Sequence, residues 1–312
     1  MAIVTPLLDH LKRQKQTKTI LLHKVDEWLI ENEQSLDNFT EDDFEVLRKL
    51  VVIGTKRDRR VFSPSGATNC SRQQVIDKLG FKGLDYRNPR TLRILDDGRW
   101  RHLRWQMIFW KMGIVTSLEQ FAKDGDLEYG GSIDVIVKLR YRGKNILLII
   151  DVKGTHASQF NSIKETKQPL IKHVIQLQIY LHLHPDTDFA LLWYENKNTN
   201  EVAEVIVKRN NRIMHRALRR QRYMQRYVEA NAIPKEECVY GDPRDRRFNN
   251  CPQRANCGRL PVHLIREGEI LKIADPRKSS KDPPFVSYNQ LPLKQLRGSL
   301  GERARPSDKS KT

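Results

Sequence analysis

The sequence has little cysteine, no long apolar run and fewer acidic than basic residues. Only 4 of its 312 residues are cysteine, too few for the disulfide-dense scaffold of a small secreted protein. The longest strongly apolar stretch, at 146–150, has the length of a strand and is far too short to span a membrane. The N-terminal residues lack the layout of a signal peptide. We therefore expect a soluble, cytoplasmic protein with no membrane partner.

The shortage of acidic residues leaves the chain strongly positive. Its 56 Lys and Arg residues outnumber 38 Asp and Glu residues and give a formal charge of +18 at pH 7. Such a charge favours a polyanionic partner, and nucleic acid is the leading candidate. The charge is densest at 208–226, which contains eight basic residues and no acidic one. A helix predicted over 210–231 would carry them either as a phosphate-binding stripe or as a solvated face, and the residues predicted to bind DNA are Arg212, Arg216, Arg219 and Arg220.

The hydrophobic pattern changes along the chain from helical to strand-like and back. Residues 1–60 have apolar side chains at helical spacing, and the same spacing predicts a helix over 98–121. Alternation in 130–141 and a nearly continuous apolar run in 145–154 predict a β-hairpin whose second strand is buried on both faces. Further elements are predicted at 173–183 (helix), 188–195 and 201–209 (strands). This order predicts an α/β core flanked by helices.

Charged side chains interrupt the predicted hairpin where its strands should be most apolar. Asp134 lies near the start of the first strand, and Asp151 lies near the end of the second. Lys153 follows Asp151 on the same face, because strand side chains alternate. Two carboxylates and a lysine suit a Mg²⁺ or Mn²⁺ site that acts on a phosphate. The alternative is a strand end that simply reaches solvent.

The order of these residues resembles a known superfamily of nucleases. The runs G-S-I-D at 131–134 and I-D-V-K at 150–153, followed by Q-x-x-x-Y at 176–180, resemble the PD-(D/E)XK nuclease superfamily, in particular its RecB-type branch. The resemblance implies a restriction-endonuclease-like core with a mixed sheet flanked by helices. One departure is that Asp151 stands where many RecB-type members carry Glu.

The resemblance also implies roles for individual residues. In the RecB-type branch a histidine upstream of the two acids completes the metal site, and His102 stands at that place. Lys153 would be the catalytic lysine, beside the catalytic acids Asp134 and Asp151. Gln176 and Tyr180, which lie on one helix face, would support the site and touch DNA. The implied metal ligands are His102, Asp134, Asp151 and the carbonyl of Val152.

The cysteines resemble a narrower group within this branch. In AddB-type and CRISPR-associated RecB-like nucleases, one cysteine precedes the nuclease motifs and three follow them, and the four bind a 4Fe–4S cluster. The last three cysteines are further apart here than in the commonest form. Zinc held by four thiolates and buried unliganded cysteines are the alternatives, with His263 or His215 as a replacement ligand if the first cysteine lies elsewhere. The residues concerned are Cys70, Cys238, Cys251 and Cys257.

The resemblance divides the chain into four parts and suggests a function. The expected activity is metal-dependent hydrolysis of DNA phosphodiester bonds by an exonuclease, of a kind that phages also carry, acting on DNA ends or single strands in replication, recombination or repair. The alternatives are a structure-selective endonuclease and a DNA-processing subunit that depends on a helicase, integrase or recombination partner. The parts are a helical N-terminal region at 1–97 with the first cysteine, a nuclease core at 98–231, a cysteine region at 232–262 and a basic, flexible tail at 263–312.

Overall fold

Two compact units make up the protein. The structure, a computed structural model, describes residues 19–33, 38–53, 61–83, 88–125, 129–187, 189–238, 242, 244–266 and 269–273. One unit consists of Met1–Ala67 and Asp85–Gln225, and the other of Thr68–Leu84 and Arg226–Thr312. Within the described ranges, no helix is long and apolar enough to cross a membrane. The four-part division predicted from the sequence stays a prediction.

A five-stranded mixed sheet forms the centre of the first unit. In sheet order its strands are β1 (Val115–Lys123), β2 (Gly130–Tyr141), β3 (Lys144–Thr155), β4 (Phe189–Asn196) and β5 (Val202–Lys208). Neighbouring strands are antiparallel, except that β3 and β4 run parallel. The connection between these two is a helical crossover, as a parallel pair requires. The predicted α/β class, mixed sheet and hairpin are confirmed.

Helices cover both faces of this sheet. On one face lie α1 (Leu22–Glu31) and α4 (Pro89–Lys111), whose Trp105 ring packs 5.0 Å from the ring of Trp193 in β4. On the other face lie α5 (Ala157–Thr166) and α6 (Ile171–Leu183), which form the crossover. Strand β3 is therefore buried on both faces, as its apolar run predicts.

The helical N-terminal region is anchored by two carboxylates. In α2 (Glu41–Ile53), Asp43 and Thr40 form a reciprocal capping pair, with 2.9 Å from Thr40 N to Asp43 Oδ2 and 3.2 Å from Asp43 N to Thr40 Oγ1. At the start of α1, the buried carboxylate of Glu204 in β5 accepts hydrogen bonds from the backbone N–H groups of residues 20–22. These contacts satisfy N–H groups that a helix cannot pair internally.

The second unit is small and contains all four cysteines. Its elements are α3 (Ser71–Lys78), the last turn of α7 (Asn211–Glu229), α8 (Arg246–Asn249), α9 (Arg254–Arg259), β6 (Val262–Arg266) and β7 (Glu269–Ile273). The fully buried guanidinium of Arg72 ties α3 to the rest of the unit. Its nitrogens donate to the carbonyls of Pro234, Cys257, Pro261 and Leu260 and to the sulfur of Cys257.

Three segments differ from the sequence-based predictions. The helix predicted over 98–121 ends at Lys111, and β1 begins at Val115, because Gly113 at φ +67° ends the helix. Helix α5 was not predicted, since most of its side chains are polar. Strands β6 and β7 form an antiparallel pair inside the predicted flexible tail, and short apolar runs such as 264–265 and 270–271 account for them. Residues 274–312 lie outside the described residues.

Candidate active site

His102 and Asp134 meet where α4 crosses β2. His102 Nδ1 lies 3.1 Å from Asp134 Oδ2, and the backbone N–H of Val152 donates to the same oxygen at 3.0 Å. Burial alone would raise the pKa of Asp134, but the charges of His102 and Lys153 and the hydrogen bonds from His102 and the Val152 N–H together outweigh burial, and the pKa is lowered. Burial would lower the pKa of His102, and Asp134 reverses this so that the pKa is raised. The two groups therefore favour each other's charged forms.

Glu119 lies beside His102 and Asp134 and forms a trio with them, although the sequence pattern does not predict it as a site residue. Its carboxylate, a His102 nitrogen and an Asp134 oxygen all lie within 4.8 Å of one another, the only such metal-ligating trio among the described residues. Gln106 bridges the two strands, donating at 2.7 Å to Glu119 Oε1 and at 3.1 Å to the Asp134 carbonyl. The backbone of Glu119 has φ +46°, a strained conformation for a non-glycine residue and one that clusters at functional sites.

Asp151 and Lys153 form an ion pair beside this trio. Lys153 Nζ lies 2.8 Å from both carboxylate oxygens of Asp151, and Gln176 Nε2 donates to Oδ1 at 3.1 Å. Oδ2 accepts no hydrogen bond, although Lys153 Nζ lies close to it. Burial raises the pKa of Asp151 to about 6, with Asp134 adding to the rise and Lys153 opposing it. A buried carboxylate oxygen without a hydrogen bond is suited to receive a cation.

Tyr180, on α6, contacts β2, the first strand of the hairpin. Its hydroxyl donates to the Ser132 carbonyl at 2.7 Å. A Cβ at Gly131 would lie 2.9 Å from Pro64 Cδ and 3.2 Å from the Tyr180 hydroxyl. Glycine at 131 therefore allows α6 and the 61–66 segment to approach the strand that carries Asp134.

A buried glutamate holds the helix that carries His102. Glu195, at the end of β4, is fully buried and accepts hydrogen bonds from Arg101, Arg104 and Trp105 of α4, the last through Nε1 at 2.5 Å. Three charged or polar donors on one carboxylate fix the helix against the sheet. Because His102 lies between Arg101 and Arg104 on this helix, Glu195 positions His102 without itself contacting the site.

Acidification is expected to destabilise the protein through His173, which lies in α6 near Lys153. His173 Nδ1 lies 2.8 Å from the Tyr194 hydroxyl, and burial, with Lys153 and Lys172, lowers the pKa of His173 from 6.5 to about 3. The unfolded chain therefore binds the proton first, and stability is lost as the pH falls from about 6.5 toward 3. Between about pH 7 and pH 4.5, urea unfolding should show that the wild type loses on the order of 2 kcal/mol more than His173→Gln does, since the opposite contribution of Asp151, whose pKa burial raises to about 6, is common to both proteins.

His173→Gln should remove that loss, and the exposed His156→Gln should retain it. Equal acid sensitivity in the wild type and in His173→Gln would contradict the assignment.

The candidate site lies in a cavity of about 570 Å³. Its polar lining includes the trio, Lys153 and Gln176. Its apolar lining includes Val61, Leu95 and Phe121. A cavity of this size is within the range of pockets that hold a small molecule, about 300–1,000 Å³.

The predicted DNA-binding arginines lie on α7. Arg212 and Arg219 are exposed, as are the neighbouring Arg222 and Arg226, and this spacing forms a stripe along the helix. Arg216 and Arg220 are half-buried. The helix and its stripe match the sequence pattern, while the binding role of the four residues stays a prediction.

The four cysteines surround the first turn of α3. Cys70 precedes the helix, Glu237 next to Cys238 accepts from the backbone N–H of Ser71 at 3.0 Å, and Arg72 Nε donates to Cys257 Sγ at 3.0 Å. Cys251 Sγ lies 3.8 Å from Gln73 Oε1. Burial, with the charges of the other three cysteines, raises the pKa of Cys238 to about 12. No three of the four sulfurs, all of them in described residues, lie within 4.8 Å of one another.

The structure thus brings six of the predicted site residues to one place. At Val152 the backbone N–H contacts Asp134, and the role of its carbonyl as a metal ligand stays a prediction. Glu119 is absent from the predicted site because the helical spacing extends over β1. A usable signal exists in the sequence: Gly113 followed by the β-branched run 114–116 predicts a helix end and a strand start. The six residues are His102, Asp134, Asp151, Lys153, Gln176 and Tyr180.

No protein-family model and no curated protein matches this sequence. Solved structures similar to this chain include SSO0001, at 15% identity and a TM-score of 0.40 over 70% of this chain and 96% of that one. An alkaline exonuclease from Laribacter hongkongensis is similar at 11% identity and a TM-score of 0.41, over 62% of this chain and 94% of the other. A phage-related exonuclease from Haemophilus somnus 129PT is similar at 16% identity and a TM-score of 0.33, over 52% and 80%. Each TM-score is below 0.5, a weak similarity that does not indicate a function for this chain.

Proposed function

We propose that the protein is a metal-dependent nuclease that hydrolyses phosphodiester bonds in DNA. The observation that carries the proposal is that His102, Glu119 and Asp134 line one cavity together with Lys153, which is paired with the buried Asp151. Carboxylates and an imidazole around a buried oxygen without a hydrogen bond fit a hard divalent cation such as Mg²⁺ or Mn²⁺.

The residues divide the chemistry between them. A bound divalent cation would activate water and neutralise charge on the phosphate. His102, Asp134 and Asp151 would hold it, as the sequence resemblance implies, and Glu119 adds a fourth side chain. Lys153 would orient the attacking water or stabilise the developing charge. Gln176 holds Asp151 in place through its hydrogen bond.

The charge of the chain supports DNA as the substrate. The exposed arginine stripe on α7 can bind phosphates along a strand. An exonuclease that acts on ends or single strands is the favoured form, in replication, recombination or repair. A structure-selective endonuclease and a subunit that needs a helicase or integrase are the alternatives. Closed circular DNA separates the first two, because an obligate exonuclease cannot cut it.

Purified protein is expected to degrade labelled linear DNA with Mn²⁺ or Mg²⁺ and not with EDTA. Glu119→Gln should weaken Mn²⁺ binding about 10- to 100-fold, a typical effect of losing a group that holds or orients a metal ligand. Electron paramagnetic resonance titration of Mn²⁺ measures this without any substrate. Glu165→Gln, on an exposed position of α5, is the matched control and should bind Mn²⁺ as the wild type does. Absence of cleavage with either metal, on single- and double-stranded DNA alike, would overturn the proposal.

We also propose that the four cysteines bind a 4Fe–4S cluster rather than zinc. Four thiolates at ~2.3 Å from one zinc would lie ~3.8 Å apart, whereas no three of the four sulfurs, all in described residues, lie within 4.8 Å of one another. Four irons between the thiolates require a wider spacing, and the Arg72 donor on Cys257 Sγ suits a ligand thiolate. Anaerobically purified protein should show an absorption band at about 400 nm, and Cys238→Ser should lose this band. A colourless protein that contains zinc would overturn this assignment.

A further inference from the structure

The side chain of Phe121 is half exposed beside the candidate metal site. It lies on β1 two residues after Glu119. Both line the cavity, and the exposed fraction of Phe121 is 49%. Single exposed apolar residues are common on protein surfaces. An aromatic ring in the wall of a polar catalytic cavity is a more specific arrangement.

The ring of Phe121 packs against a glycine and a valine. A Cβ at Gly130 would lie 3.0 Å from Phe121 Cζ and 2.9 Å from Val61 Cγ2. Glycine at this position therefore lets both the ring and the Val61 side chain lie against the neighbouring strand. Together with Leu95, these side chains contribute to the apolar lining of the cavity.

The polar and apolar side chains of the cavity match the two parts of a nucleotide. Glu119 and Phe121 lie two positions apart on β1 and both line the cavity, so their Cα atoms are at most ~7 Å apart, a distance comparable to the separation of phosphate and base within one nucleotide. The polar side chains suit the phosphate, and Phe121 offers a flat ring to the base. Ser63, Ser65 and Arg99 also line the cavity and provide donors for a sugar or phosphate.

We propose that Phe121 stacks on the unpaired base of the nucleotide next to the scissile phosphate. This inference rests on the proposed nuclease function and deepens it, because it makes single-stranded DNA, or a frayed end, the substrate class. A base inside a duplex is paired and stacked, so it must leave the helix to contact the ring. Stacking tolerates any sequence, since every base has a π-face.

The test compares variants on single strands with and without the contacted base. Phe121→Ala should lower kcat/KM on an ordinary single strand about 5- to 150-fold, the range of one base–aromatic contact, and Phe121→Trp should restore most of it. On a strand that is abasic at the terminal nucleotides, the wild type should fall to the level of Phe121→Ala, and the substitution should have no further effect. Phe44→Ala, which removes another exposed phenylalanine, at 51% exposure, should behave as the wild type does.

A binding measurement separates failure of this inference from failure of the proposed function. Stacking should quench the fluorescence of a single strand with terminal 2-aminopurine in the wild type with Ca²⁺, and Phe121→Ala should lose the quenching. Equal quenching in both proteins, or an equal loss of kcat/KM on ordinary and abasic strands, would overturn the stacking role. Quenching by the wild type without cleavage of any DNA would instead overturn the nuclease function and leave the stacking contact standing.

Discussion

Asp151→Asn is expected to lower DNA cleavage by at least about 10³-fold while leaving the protein folded and nearly as stable as the wild type. The asparagine oxygen can replace Oδ1, which accepts from Lys153 and Gln176. The amide group then occupies the place of Oδ2, which accepts no hydrogen bond in the wild type, and Lys153 Nζ, 2.8 Å from Oδ2, would shift toward Asp134 to avoid a contact between two donors. Loss of one buried negative charge beside Asp134 offsets loss of the ion pair, so the free energy of unfolding should change by about 1 kcal/mol or less.

Lys153→Met should lose both activity and stability. Cleavage should again be lost, but Asp134 and Asp151 would face each other without the lysine charge. Breaking a buried ion pair from one side typically lowers the free energy of unfolding by about 3–5 kcal/mol. Lys164→Met is the matched control, because this lysine pairs with Glu201 at the surface, where both side chains are about half exposed, and its loss should cost about 0.5 kcal/mol.

The pH dependence of Lys153→Met gives a second check. Burial already raises the pKa of Asp151 to about 6 in the wild type, and removal of Lys153 should raise it further. A carboxyl whose folded pKa lies above its unfolded value is stabilising when protonated and destabilising when charged. Lys153→Met should therefore regain stability as the pH falls from about 8 toward 5. A stability deficit that is constant over this range would contradict the ion-pair argument.

The hairpin and its charged residues could be predicted from the sequence because their patterns are local. Alternation in β2 and the apolar run in β3 gave the strand type, and the position of Asp151 and Lys153 in that run marked the site. The supporting helix α6 was predicted within two residues of its start. Asp134, Asp151 and Lys153 follow from these local patterns, whereas Gln176 and Tyr180 are implied only by the motif resemblance.

Glu119 and the cysteine spacing could not be predicted in the same way, because they depend on long-range packing. Glu119 faces Asp134 only because β1 pairs with β2, and its positive φ accompanies a strand whose register shifts between Val115 and Ser117. The helical pattern of α4 runs without a break in hydrophobicity into β1, so periodicity alone extends the helix. Gly113 and the β-branched run after it mark the start of β1, but they do not show which strand it pairs with. The distances between sulfurs are likewise a property of the second unit, and sequence spacing does not determine them.

Arg72→Met is expected to lower the stability of the second unit by about 3–5 kcal/mol. The guanidinium is fully buried and donates to four backbone carbonyls and one sulfur, with the shortest contact 2.7 Å from Nη1 to the Pro234 carbonyl. Its removal would leave these acceptors buried without their donor, and each such group costs about 1–3 kcal/mol. Hydrogen exchange of the α3 amides during urea unfolding measures the loss in this unit alone.

Two further variants distinguish the geometry of Arg72 from its charge. Arg72→Lys keeps the charge but cannot reproduce the planar fork that reaches acceptors on three sides, so it should lose most of the same stability. Arg259→Met removes an exposed arginine from the same unit and should change stability by no more than about 0.5 kcal/mol. Since Arg72 Nε also contacts Cys257 Sγ, a fully stable Arg72→Met would mean that the cysteines, and not this guanidinium, hold α3 to the segment at 257–261.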